Sequence, residues 1–243
     1  MTEIEFLQLS LRCRHKLASR ILRDCIDHPS LRTETLYRKM ETYLSFAPID
    51  FQNFKHVSDR YHMHMRQAKL SLKEHNLLRP YQKRDIPSST PFLPIAIYLD
   101  NLRSAFNVGS IIRTTEAFRL GSLHFSAYTP FIDNPKVQKT SMWTHDKVPC
   151  FQYTSLSTLP RPLIALETAD SAPSVLSYTF PETFTLLLGN EEYGLSDETL
   201  ALADAMITIP LCGFKHSLNV ASAFAIVAAA IREKQPAHTP CIH

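Results

Sequence analysis

The chain has 243 residues, 44% hydrophobic and 20% charged, a balance that suits a globular fold with a sizeable core and excludes disordered and collagen-like classes. No run of 18 apolar residues occurs, and the most apolar stretch, Ser217 to Ile231, is bracketed by Lys215 and Arg232, which argues against a transmembrane protein. The net charge of +3 hides an asymmetry: residues 1–92 carry 16 lysines and arginines against 10 acids, residues 93–243 carry 10 against 13, so the basic part is expected to meet a polyanion.

The N-terminus, MTEIEFLQLSLRCRHKLASR, lacks the apolar core and small-residue cleavage site of a signal peptide, so the chain reads as unprocessed and cytoplasmic. Its five cysteines are widely spaced with no C-x-x-C pair, as expected of free thiols in a reducing compartment. All five glycines lie beyond position 100. This divides the chain into two parts built on different rules.

Residues 2–79 read as helices. Leu7, Leu11, Leu17, Ile21 and Leu22 recur at roughly helical spacing until His28-Pro29 breaks the run. Ser30 or Thr33 is expected to cap a second helix reaching Leu44, and Asp50 a third running from Phe51 to about Asn76. The string Tyr61-His62-Met63-His64-Met65 sets its histidines on different helical faces, so no metal is expected there. A helical extension over 1–83 is therefore expected, with a polar, proline-rich linker over 84–92 and a second domain over 93–243.

Beyond the linker, Ile95–Leu99, Leu123–Tyr128, Val148–Tyr153, Leu163–Leu166, Phe184–Leu188 and Met206–Ile209 are short apolar strand candidates separated by helical or loop-like stretches. The alternation predicts an α/β fold with a largely parallel sheet. Ligands in such sheets sit at the carboxyl ends of the strands, so the residues that follow each strand matter most.

Three such segments stand out. After the first strand, Val108, Ile111, Ile112, Thr115 and Phe118 share a helical face while Arg113 points roughly opposite, toward solvent, a ligand or another chain. On spacing alone Arg113 is an ordinary surface arginine, and Asn107 a helix cap with Gly109 loosening the turn. The second segment, Leu186 to Ser196, ends a buried strand in Gly189 and puts the Glu191 carboxylate just beyond it. The third, Ile209 to Val220, runs from a strand end into a helix that is apolar nearly all round, with Ser217 or Asn219 as its cap. Burial in the core and cover by a second subunit explain that helix equally well. No G-x-G-x-x-G, P-loop, G-x-S-x-G or H-E-x-x-H motif occurs.

In order, the three segments resemble the motifs of the SpoU (TrmH-like) family of RNA ribose 2′-O-methyltransferases, one of the knotted methyltransferases. The first motif is met by Asn107, Gly109, Arg113, Phe118 and Gly121, and the second by Gly189, Asn190, Glu191, Gly194, Leu195 and Ser196. The third is met by Ile209, Pro210, Gly213, Ser217, Leu218, Asn219 and Val220. The resemblance covers about residues 93–233. Glu192, where glycine is common, and Met142-Trp143, where small residues are usual, depart from the pattern.

The resemblance implies a parallel sheet with a C-terminal trefoil knot, S-adenosylmethionine as cofactor and a structured RNA (tRNA or rRNA) as substrate; no metal is expected, since no ligand cluster has plausible spacing and the reaction needs no Lewis acid, and a homodimer is expected from the apolar helix Asn219–Ile231 and an Arg113 aimed off its own core. It implies that Gly189, Ile209, Leu211 and Leu218 contact the cofactor, and that Asn107, Arg113, Glu191, Ser217 and Asn219 form the catalytic set. Arginine stays protonated in proteins, so Arg113 is expected to bind the adjacent phosphate and stabilise the developing alkoxide, with the other four orienting it and the ribose. A non-catalytic RNA-binding protein that keeps the fold, and a methyltransferase acting on an RNA base, are the alternatives. The basic first third reads as an RNA-docking extension or as a solvated helical domain that helps dimerise.

Overall fold

The structure is a computed structural model that describes residues 2–71, 89–169 and 171–235. Most of the expected linker 84–92 lies outside the described residues. The chain forms two compact units, Met1–Pro87 and Ser88–His243.

The first unit contains α1 (Glu3–Gln8), α2 (Leu11–Asp27), α3 (Leu31–Tyr43) and α4 (Phe54–Gln67). Side-chain caps set their starts. Thr2 and Glu5 form a reciprocal capping box on α1, Ser10 accepts from the Cys13 N–H, and Ser30 accepts from the Thr33 N–H. The Ser10 cap splits what the leucine spacing suggests is one helix, and the break re-phases the pattern. Leu7 and Leu11 consequently face solvent, while Phe6, Ala18, Leu22, Cys25 and Ile26 are buried.

Asn53, not Asp50, caps α4, accepting from the Lys55 and His56 N–H groups. That helix stops at Gln67 rather than near residue 76: Lys69 turns left-handed (φ 53°), and the Ala68 and Leu70 amides bond back to the His64 and Met65 carbonyls. Residues 72–76 lie outside the described residues. Polar groups in this unit close on one another. Buried His15 and His64 meet through their Nδ1 atoms at 2.8 Å, and His64 Nε2 lies 2.8 Å from the Tyr37 hydroxyl. Burial, reinforced by the charge of nearby His15 and Arg60, pushes His64 down to about 3. Buried Glu41 accepts from Arg38, Arg60 and the Ile49 N–H.

The second unit is a six-stranded, all-parallel sheet of β1 (Ile95–Leu99), β2 (Gly121–Phe125), β3 (Cys150–Gln152), β4 (Leu163–Leu166), β5 (Thr185–Leu188) and β6 (Ala205–Ile207). Its helices are α5 (Ala105–Ala117), α6 (Pro135–Thr140), α7 (Asp197–Leu202) and α8 (Val220–Lys234). The strand order is β3-β2-β1-β5-β4-β6, with Ile97 level with Leu123 on one side and Leu186 on the other. Every residue of β1 and β5 is buried, as continuous apolar runs in a parallel sheet require. The outer strands are shorter than their apolar runs because their ends are set by the partner's register: β3 pairs only over residues 150–152 and β6 over 205–207.

The chain leaves β1 toward β2 and β3, then crosses to β4 and β5, so the order reverses between β1 and β5. That reversal opens a crevice at their carboxyl ends. Gly109 is not a helix-loosening residue near a cap. It sits within α5 where α6 packs close, and a Cβ there would lie 2.8 Å from both the Ser141 nitrogen and the Val137 oxygen. Just beyond α6, Met142 and Trp143 both adopt left-handed backbone (φ 52° and 69°).

Candidate active site

Strand β1 delivers Asp100 to the crevice and β5 delivers Gly189 and Asn190. Asp100 is buried, and its Oδ2 accepts from the Ser196 N–H (2.9 Å) and hydroxyl (2.8 Å). The Asn190 amide donates to the Asn101 carbonyl, and its Oδ1 accepts from the Glu192 N–H. Asn190 and Gly194 pair through both backbone groups, with Gly194 at φ 77°. Inside this tight loop a Cβ on Gly189 would lie 2.2 Å from the Gly194 carbonyl carbon, so the loop itself demands glycine there. Glu167, directly after β4, accepts from the Leu195 N–H at 2.7 Å and braces the loop from the other side.

The loop presents Glu191 to the start of α5. One oxygen accepts from the Ser104 N–H (3.1 Å) and the Asn107 amide (2.8 Å), the other from the Arg103 N–H (2.9 Å). Desolvation pushes this carboxyl up, but the hydrogen bonds from Arg103, Asn107 and Ser104 outweigh it and hold Glu191 below the ordinary carboxylate range. A charge at a helix N-terminus is also favoured by the peptide dipoles. Ser104, not Asn107, is the α5 cap, accepting from the Asn107 N–H.

Asn107 is fixed on its second side as well, since Asn219 donates to its Oδ1 at 3.0 Å. Asn219 in turn caps α8, accepting from the Ala221 and Ser222 N–H groups. Residues from the starts of two helices and from the loop after β5 thus form one chain, Asn219–Asn107–Glu191. Ser217 does not cap α8.

Two members of the expected set stand outside that chain. Arg113 is exposed on α5 and Ser217 is exposed in the loop before α8; neither side chain makes a hydrogen bond or ion pair among the described residues. Ile209 packs against the main core, whereas Leu211 and Leu218 are 37% and 43% exposed. Among the described residues no backbone hydrogen bond runs to residues 209–218, so this loop offers N–H and C=O groups between apolar side chains. Such a lining fits S-adenosylmethionine: peptide groups suit the polar edge of adenine, and the leucines its faces.

The Glu192 departure is absorbed by a solvent-exposed ion pair with Arg103, and the Asn190–Gly194 pairing survives beside it. Asp100 and Glu167 went unassigned by the sequence reading, although acids directly after β1 and β4 are a signal that the carboxyl-end rule supplies.

The model of the SpoU rRNA Methylase family matches residues 94–229, spanning every element of this site. The chain belongs to that family. Among SpoU relatives, the tRNA (guanosine(18)-2′-O)-methyltransferase of Thermus thermophilus is 30% identical over 140 residues, covering 55% of this chain and 71% of that protein. The crystal structure of the SpoU methyltransferase AviRb from Streptomyces viridochromogenes superposes with a TM-score of 0.54 at 25% identity, over 60% of this chain and 62% of AviRb. AviRb in complex with the cofactor AdoMet shares the fold at a TM-score of 0.53 and 24% identity, over 67% of this chain and 65% of AviRb. The matched region therefore spans less than two thirds of AviRb.

Proposed function

We propose that this chain transfers a methyl group from S-adenosylmethionine to a ribose 2′-hydroxyl of tRNA or rRNA. The observation that carries the reading is the Asn219–Asn107–Glu191 chain, which joins the three family motifs at the carboxyl edge. When bound, S-adenosylmethionine supplies an electrophilic sulfonium methyl. Gly189, Ile209, Leu211 and Leu218 hold it through backbone groups and apolar contact. Arg113 binds the phosphate next to the target ribose and stabilises charge developing on its 2′-oxygen, because a guanidinium is a fixed cation and a planar fork. Ser217 contacts the ribose.

Asn107, Glu191 and Asn219 are positioning residues in this scheme. Both Glu191 oxygens are occupied by donors and its carboxyl is held ionised, which suits it to fixing the start of α5 rather than accepting the substrate proton.

The proposal extends to a homodimer, to the family's C-terminal trefoil knot, and to the cytoplasm, a reducing compartment that suits the free thiols of Cys13, Cys25, Cys150 and Cys212. Dimerisation is supported by the outer stripe of α8, where Ser222, Ile226 and Ala229 are exposed, and by Phe214, 92% exposed in the preceding loop. An interface over these surfaces would let Arg113 of one protomer serve the cofactor of its partner. The helical unit is assigned to RNA docking, in line with its excess of basic residues.

Purified protein incubated with methyl-labelled S-adenosylmethionine and unfractionated tRNA or rRNA tests the reading. Labelled positions should resist alkaline cleavage, because the 2′-oxygen is blocked. Label on a base after nuclease digestion would reassign the chain to base methylation, and RNA binding without transfer would make it a non-catalytic member.

A further inference from the structure

Helix α2 buries Ala18, Leu22, Cys25 and Ile26 against the small helical core. Another of its faces carries Arg12, Lys16, Arg20 and Arg23, spaced so that they lie along one stripe. Beside that stripe, between α2 and α4, runs an open groove of about 410 Å3 with Leu9, Leu17, Leu70 and Tyr61 in its lining. Three of the basic residues, Lys16, Arg20 and Arg23, line it too.

They are held differently. Arg23 is fixed, its Nε donating to the Tyr61 hydroxyl at 3.1 Å and its guanidinium lying 5.0 Å from the centre of the Tyr61 ring. Lys16 and Arg20 are exposed and make no ion pair among the described residues; Asp24, one turn beyond Arg20, does not pair with it. The groove thus combines an apolar floor, a guanidinium plane backed by the buried Tyr61 ring, and two uncommitted cations.

We infer that this groove docks an unpaired segment of the RNA substrate, a base lying against Leu17, Leu70 and the Arg23–Tyr61 pair while flanking phosphates meet Lys16 and Arg20. The occupant follows from complementarity. Cations without acidic partners favour a polyanion, and an apolar floor with a guanidinium plane favours a base free to leave its stack. A duplex presents phosphates but nothing to fill the floor. The inference rests on the RNA-methyltransfer reading above and deepens it by naming the form of RNA that the helical unit grips.

The test uses the full chain, a short oligouridylate, unfractionated tRNA, and Cys13, an exposed thiol in the groove lining. Oligouridylate should slow alkylation of Cys13 several-fold, scored peptide by peptide. The double variant Lys16→Glu, Arg20→Glu should weaken tRNA binding by about 10-fold or more and flatten the slope of log affinity against log salt by about 1.4, at roughly 0.7 per single-strand phosphate contact. Its S-adenosylmethionine affinity should match wild type. Unprotected Cys13, or unchanged affinity and slope, overturns the inference. Stronger protection by oligoglutamate than by oligouridylate also overturns it and assigns the groove to an acidic protein. If wild type transfers no methyl group yet oligouridylate protects Cys13, the groove stands and the methyltransfer reading falls.

Discussion

The helical unit and the parallel-sheet unit treat their polar side chains in opposite ways. In the first, His15, Tyr37 and His64 are buried against one another, and Glu41 is enclosed by Arg38, Arg60 and the Ile49 amide. In the second, polar groups gather at one edge of the sheet, where Asp100, Glu167 and Glu191 spend their hydrogen bonds on loop backbone. The side chains of Arg113, exposed on α5, and Ser217, exposed in the loop before α8, carry no such bonds among the described residues. Satisfied polar clusters in a core specify packing. A side chain without an intramolecular partner is free to meet a ligand.

The largest break in this contrast should come from Arg113. Replacing it with alanine is expected to cut methyl transfer by three orders of magnitude or more, about 4 kcal/mol at the transition state. S-adenosylmethionine affinity, measured by calorimetry, should change only a few-fold. Arg113→Lys should also be poor, because an ammonium cannot reproduce the planar fork. Near wild-type turnover in either variant would remove Arg113 from the mechanism.

Acid should separate the two units next. His64 is held at about 3 in the folded chain, against an unfolded value of about 6.5, so the unfolded state binds the extra proton between these pH values. Stability of the helical unit is therefore full above pH 6.5 and falls as pH drops toward 3, by about 3 kcal/mol at pH 4. The single tryptophan, Trp143, lies in the sheet unit. Helical circular dichroism should decline on acidification before Trp143 fluorescence responds, and coincident transitions would show that His64 does not govern the loss.

Glu191→Gln probes the other side of the comparison at smaller cost. An amide nitrogen would face at least one of the N–H donors that the carboxylate now satisfies, a loss of about 1 kcal/mol because solvent reaches the group. The sign of its pH dependence is the same as that of His64, but the cause differs, since acid neutralises this group rather than charging it: a lowered carboxyl contributes stability above its unfolded value of about 4.3, lost as pH falls through the folded one. The variant should lack that acid limb in thermal unfolding of the sheet unit. Glu192→Gln should do least, within about 0.5 kcal/mol, because the Arg103–Glu192 pair has both side chains 68% exposed. A larger shift would mean that the pair organises the loop.

Short-range signals carried much of this protein. The buried runs Ile95–Leu99 and Leu163–Leu166 read directly as strands, and the ordered motifs around Asn107, Gly189 and Asn219 pointed to the SpoU family. Hydrophobic period, turn residues and caps act over a few residues, so one sequence displays them. Their limits are visible too. The leucine spacing across Ser10 merged two helices, because periodicity does not register a cap that resets the phase.

What tertiary structure decided lies across long separations. Asn107 meets Glu191 and Asn219 only because the strand order reverses between β1 and β5 and brings the starts of α5 and α8 together. The same holds for Gly109, whose lack of a side chain is required by the backbone of α6 rather than by its own helix. Asp100 and Glu167 are acids after strands in the sequence; the Ser196 and Leu195 groups they hold become their partners only in the folded sheet. A hydrogen bond is directional and short, and no local pattern encodes which distant donor will reach it.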